Sequence, residues 1–189
     1  MRLEWIVAAI VLLIVLYAIV IFNRLVRQRN GVREGWSGID VQLRRRTDLV
    51  PNLVETVKAY AAHERNLFED ITQRRASSIA ASGVSDQATA ERALSGSLGR
   101  LMAVAEAYPD LKANTNFLQL QSQLAEVEDQ IQMARRYYNG AARNLNISIQ
   151  SFPAVLVARA LGFSEAPFFE LDNRAQGEAP QIAFPGEKP

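Results

Sequence analysis

FLQLQSQLAEVEDQIQMARRYYNGAARNL, residues 117–145, decides the fold class. Its apolar positions fall at Phe117, Leu120, Leu124, Val127, Ile131, Ala134, Tyr138, Ala141 and Leu145. The steps alternate three and four, the period of one helix face and not the two-residue period of a strand. A helix with one apolar stripe has to bury it against other helices. A second series of the same period runs Trp36, Ile39, Leu43, Arg46, Val50, Leu53, Val57, Tyr60, Glu64, Leu67, Ile71. Arg46 and Glu64 are its polar members. A third run carries Leu94, Leu98, Leu101, Val104 and Tyr108. No stretch alternates as a strand would. The expected fold is all-α: an N-terminal transmembrane helix followed by an antiparallel long-helix bundle of the four-helix type.

The breaks follow from turn chemistry. Ser82-Gly83-Val84-Ser85-Asp86 separates the first long helix from the next, with Ser85 or Asp86 as the cap. Tyr108-Pro109-Asp110 and Phe152-Pro153 end the following two, because proline cannot continue an established helix. A shorter helix runs through Ala160 and closes at Gly162. Pro51 sits inside the Trp36–Ile71 series without shifting its register, which leaves two readings: a kink, or a restart capped by Asp48.

From Trp5 to Phe22 there is no charged residue. At about 1.5 Å per residue this run is just long enough to cross a bilayer core of roughly 30 Å. A cleaved signal peptide would have a shorter apolar core and a small-x-small cleavage site. Asn23-Arg24-Leu25-Val26-Arg27 stands there instead, a stop-transfer flank. Trp5 and Phe22 bound the anchor, and Arg24, Arg27 and Arg29 are placed to meet anionic headgroups. With Arg33 they outweigh the single Arg2 of the other flank, so the N-terminus is expected outside and the bundle in the cytoplasm. The expected organisation is a short N-terminus and anchor over 1–23, the bundle over 24–162, and an aromatic segment with a flexible tail over 163–189.

Composition closes several routes to chemistry. There is no Cys, which excludes disulfides and thiolate metal sites, and the single His63 cannot build a multi-histidine site. His63-Glu64 lacks the second His of a zinc-protease helix, since Leu67 stands at that position. Tyr60, three before His63, removes a di-iron Glu-x-x-His pair. His63 reads as a partly exposed helix residue. Glu126, Glu128 and Asp129 read as a solvated face paired with arginines, with a metal or acid–base site as the rarer alternative. No catalytic, metal or cofactor residue is assigned, and the expected protein is not an enzyme. Arg46, on a seam position, calls for a carboxylate from the antiparallel partner helix if it is buried.

Gly31, Gly35 and Gly38 share one helix face. They permit close approach of another helix, including one from a second copy, or else weaken the helix into a hinge. Arg44-Arg45-Arg46 lies about 30 Å past Phe22 along a straight helix, beyond electrostatic reach of lipid. No basic patch with interleaved aromatics points to nucleic acid. Phe163, Phe168 and Phe169 are expected to cover the open end of the bundle, with a docking site for a partner as the alternative.

Three stretches resemble the LemA family of bacterial membrane proteins. They are NGVREGWSGIDVQLRRRTDLVPNLVETVKAYAAHE at 30–64, YPDLKANTNFLQLQSQLAEVEDQIQMARRYYNGAARNLN at 108–146, and FPAVLVARALGF with PFFE at 152–163 and 167–170. The resemblance implies an anchor in the inner membrane followed by a four-helix bundle, with the short N-terminus outside and no established catalytic residues. It also implies links to membrane remodelling in magnetosomes or to a stress-linked membrane metalloprotease. The expected function is a non-enzymatic membrane scaffold or adaptor whose partners are the lipid bilayer, other membrane proteins and further copies of itself. The alternative is a sensor that binds a small ligand in a cleft lined by Asn114, Asn116, Tyr138 and Asn139.

Overall fold

A computed structural model describes residues 2–170. Among these, six helices follow one another: α1 (Arg2–Lys58), α2 (Arg65–Ala80), α3 (Val84–Glu106), α4 (Pro109–Lys112), α5 (Thr115–Gln150) and α6 (Ala154–Ala160). The flexible tail expected beyond Asp172 lies outside the described residues, as does Met1.

α1 has 57 residues and spans about 85 Å. As far as Val20 its large apolar side chains face outward: Trp5 is 76 % exposed and Leu13 65 %. Its second half is the spine of the bundle. α5 lies antiparallel along it, with Gln28 donating to Ser148, Gly35 against Tyr138, and Arg46 against Glu128. The seam positions of both helices face each other, with Val50, Leu53 and Leu124 in one core cluster and Ile39, Leu43, Val127, Ile131 and Leu145 in a second.

α2 and α3 form a hairpin over the membrane-distal half of this pair. Leu67, Phe68 and Ile71 of α2 and Leu94, Leu98 and Leu101 of α3 bury against Leu53, Val57 and Phe117. Ser97 donates to Asp70 over 2.6 Å and Arg100 ion-pairs with the same carboxylate, tying the hairpin together. The Ser97 hydrogen bond, with help from Arg74 and Arg100, holds the Asp70 carboxyl below its usual range.

Two expectations about the helices are corrected. The first long helix does not run to Ile71. It stops at Lys58, and residues 59–64 turn the chain back into α2. No Gly or Pro marks this turn; the fold-back is favoured because it lets Phe68 and Ile71 reach the core that Val54 and Val57 begin. His63 is therefore an exposed turn residue and not a helical one. The N-terminus of α3 is capped neither by Ser85 nor by Asp86: its N-cap is Gly83, at φ +84°, a conformation that glycine adopts without steric cost.

Pro51 leaves α1 unbroken. Asp48 stays exposed and starts no new helix. Pro51 has no N–H to give to the carbonyl four residues earlier, that of Thr47, and Arg75 Nε donates to that oxygen instead over 2.7 Å.

Pro109 opens α4, and Asn114 caps α5 by accepting from the Asn116 and Phe117 amides at 2.9 and 3.2 Å. α6 ends at Ala160, and Gly162, φ +70°, turns the chain away with the Phe163 amide donating back to the Ala158 carbonyl over 3.0 Å.

Candidate functional site

Arg46 lies on the buried face of α1 with 2 % of its surface exposed. A desolvated guanidinium requires counter-charge, and two carboxylates supply it. Nη1 meets Glu91 Oε2 of α3 at 3.0 Å, and Nη2 meets Glu128 Oε1 of α5 at 2.8 Å. Ser95 accepts from Nη2 at 2.7 Å. Glu91 is fully buried and accepts further from Ser78 of α2 and, at 3.0 Å, from Gln87. One polar node thus joins all four long elements of the bundle. It carries two carboxylates against one guanidinium. Burial, reinforced by Glu91 and Asp129, outweighs the attraction of Arg46 and pushes the Glu128 carboxyl above its usual range.

Glu91 was not singled out from the sequence, yet it stands three residues before Leu94 on the apolar series of α3. It is the polar member of that seam, as Arg46 is of its own. Extending the series by one step would have reached it.

The membrane-proximal half of α1 and α5 has no α2–α3 hairpin over it. The segment after α6 covers it. After α6, residues 163–170 run extended along α5. Asn146 exchanges two hydrogen bonds with the backbone of Ala166, at 2.8 and 3.0 Å, and Asn139 does the same with Phe169, at 2.9 and 3.1 Å. The two asparagines are seven residues apart on a helix, about 10.5 Å, and their partners three apart in extended chain, about 10 Å. The side-chain amides therefore act as peptide groups at matching intervals. Tyr138 adds a hydrogen bond from its hydroxyl to the Pro167 carbonyl, 2.7 Å, and burial raises its pKa.

Phe169 is fully buried, its ring 5.7 Å from that of Trp36, which also meets Tyr138 at 5.8 Å. Phe163 stacks edge-on to Phe22 at 6.0 Å, with the Arg29 guanidinium 5.0 Å above it. Phe168 is exposed. These aromatics line the side of the bundle and do not close its end, because the strap runs parallel to the helices.

Within the chain itself the three glycines differ in their surroundings. Only Gly35 is at a close approach: a Cβ there would stand 3.0 Å from Tyr138 Cα. Gly31 and Gly38 have open space. Gly31 and Gly140 border a surface cleft of about 430 Å³ between α1 and α5, rimmed by Arg27 and Arg136. Arg24, Arg27 and Arg29 are exposed just past the apolar run.

The ligand cleft read from the sequence is not assembled. Asn114 and Asn116 lie at the distal start of α5, about 36 Å along the helix from Tyr138 and Asn139. Asn114 donates to Tyr60 and caps its helix, while Tyr138 and Asn139 are occupied by the strap. Glu126 borders an open surface cleft together with Arg45 and Asp48. Among the described residues no group of three or more His, Asp or Glu is placed to hold a metal.

A profile of the LemA family matches residues 35–184, about four-fifths of the chain. The chain belongs to the LemA family. Similar proteins include Magnetosome protein MamQ 2 of Paramagnetospirillum magneticum, 27 % identical over 187 residues that cover 85 % of this chain and 68 % of that protein. Magnetosome protein MamQ of Magnetospirillum gryphiswaldense is 26 % identical with the same coverage. Protein LemA of Metamycoplasma hominis is 28 % identical over 152 residues, 78 % of this chain and 68 % of that one. The LemA match takes in Gly35, the Arg46–Glu91–Glu128 node, both bracketing asparagines and Phe169, whereas the apolar run of α1 precedes it. With its outward-facing apolar helix, this LemA-family chain is a membrane-associated helical protein.

Proposed function

We propose that this chain is a non-enzymatic, single-pass scaffold of the inner membrane, with its N-terminus outside and its bundle in the cytoplasm. The observation that carries the reading is the continuity of α1. One helix passes from the apolar run into the spine of the bundle without a break. The bundle is therefore held at a set orientation to the bilayer, which suits a platform for other membrane proteins better than a tethered catalyst. The arginines at 24, 27, 29 and 33 favour the stated direction, because cations are retained on the cytoplasmic side. The anchor takes residues up to 23, and the bundle begins at 24 and takes in the strap to 170.

The node accords with this role. Its charged groups pair with one another across α1, α3 and α5 and so hold the helices together. Relatives named as magnetosome proteins favour service in membrane organisation over service as a protease adaptor.

Crosslinking in native membranes, followed by purification in mild detergent and mass spectrometry, tests the proposal. Specific membrane proteins or discrete homo-oligomers are expected. Recovery of the isolated monomer alone would overturn it. The direction is tested by single cysteines at Arg2 and Arg44, since the chain has none of its own: an impermeant thiol reagent added to intact cells should label only the first.

A further inference from the structure

We propose that the α5–α6 corner is a second membrane contact, lying in the bilayer interface beside the anchor. The lipid phase covers its outward apolar side chains. The proposal rests on the membrane-spanning reading of α1 and adds a site to it.

Among the described residues outside α1, Phe152 is the most exposed large apolar side chain, at 81 %. Leu156 and Leu161 follow on the same short segment at 61 % and 55 %. Such a concentration at one end of the molecule is unusual for a surface facing water. Its inner face is conventional: Ala158 is fully buried with Ile21 and Leu25 of α1.

The height of the corner follows from the helix register. Gln28 is bonded to Ser148 on antiparallel helices. Four residues further on, Phe152 comes level with the turn of α1 at 22–24. Phe163, just past α6, meets the ring of Phe22 itself. The corner is thus flanked at both ends by the last turn of the apolar run. That run, Trp5 to Phe22, is about 27 Å long, slightly less than a hydrocarbon core of roughly 30 Å. It has no residues to spare, so Phe22 must lie at the hydrocarbon boundary. A helix is about 10 Å across with its side chains, so a segment packed against Ile21 and Phe22 cannot stand clear of the headgroups. Arg159 is exposed on α6, and Arg24 and Arg27 on α1, a belt of cations at headgroup depth. Lipid is the occupant argued for because the exposed patch is continuous with the surface that α1 already gives to lipid.

The test uses single-cysteine variants of the full chain reconstituted in phosphatidylethanolamine–phosphatidylglycerol vesicles. Phe152→Cys, Leu156→Cys and Leu161→Cys are each labelled with a nitroxide. Tyr17→Cys reports the span and Arg44→Cys the water-facing bundle. At 152, 156 and 161 the collision rate with oxygen should exceed that with a water-soluble nickel chelate, as at 17. The ratio should be reversed at 44. A chelate-dominated ratio at the three sites, with oxygen still dominant at 17, would overturn the proposal while leaving the anchor intact. A chelate-dominated ratio at 17 would overturn the anchor and the proposal together. Low accessibility to both reagents, with dipolar broadening between labels, would assign the patch to a second copy of the chain and equally overturn it. All three positions are exposed, so the labels do not disturb the core.

Discussion

Arg75 of α2 donates its Nε–H to the carbonyl oxygen of Thr47 in α1 over 2.7 Å, supplying the partner that Pro51 cannot. A proline in a helix leaves one carbonyl without its amide, and a long cation from the neighbouring helix replaces it here. Arg75→Ala should cost about 1–2 kcal/mol, since a half-buried carbonyl loses a charge-assisted bond. Pro51→Ala restores the helical amide, and in that background the same substitution should cost much less. Thermal unfolding of the four members of this cycle in detergent, followed by circular dichroism, measures the coupling. Strict additivity would refute it.

The Arg46 node should respond unequally to the loss of its members. Arg46→Ala strands a fully buried Glu91, and Glu91→Ala removes the better-buried counter-charge; each should destabilise by about 3–5 kcal/mol. Glu128→Gln should not destabilise and should be slightly stabilising at neutral pH, because the environment disfavours the charge that it removes. Denaturant midpoints order the three variants.

Glu128 also sets a pH dependence. Its folded-state pKa is raised above that of the unfolded chain, so the native state binds a proton more readily there. Stability from this group is greatest below the usual glutamate range and is lost as pH rises through the raised value. Glu128→Gln should be relatively more stable than the parent above that window, and the difference should shrink on acidification through it. Midpoints measured across mildly acidic pH check the sign.

Gly35 and its two neighbours should separate cleanly. Gly35→Leu drives a side chain into the Tyr138 backbone and should cost about 1–3 kcal/mol, as overpacking does. Gly31→Ala and Gly38→Ala meet nothing and should each stabilise the helix by about 0.5–1 kcal/mol. A loss of oligomer with either, in crosslinked membranes, would show instead that those positions pack against a second copy.

The strap should open when its brackets are removed. Asn139→Ala with Asn146→Ala deletes four hydrogen bonds to residues 166 and 169. Hydrogen exchange at those two amides should accelerate while the α2–α3 hairpin stays protected. Unchanged exchange would mean that the Trp36–Phe169 packing and the Tyr138–Pro167 hydrogen bond hold the strap without the asparagines.

The sequence by itself determined what depends on local periodicity and on single-residue chemistry. The 3–4 spacing of α5 required a helix with one buried face. The charge-free run from Trp5 to Phe22 required a hydrophobic environment. Pro109, Pro153 and Gly162 marked helix ends because their backbones admit few alternatives. Arg46 declared itself by carrying a charge on an apolar seam. The tertiary structure decided what depends on distance through space. Residues 59–64 hold no breaker, and the chain turns there only because Phe68 and Ile71 gain a core by folding back. Glu91 became the partner of Arg46 because the α2–α3 hairpin set it there, 45 residues away. Asn139 and Asn146 show the same limit most plainly. Polar residues on a helix carry no sign of what they bind, and it took the extended strap, at a repeat that matches theirs, to make them brackets.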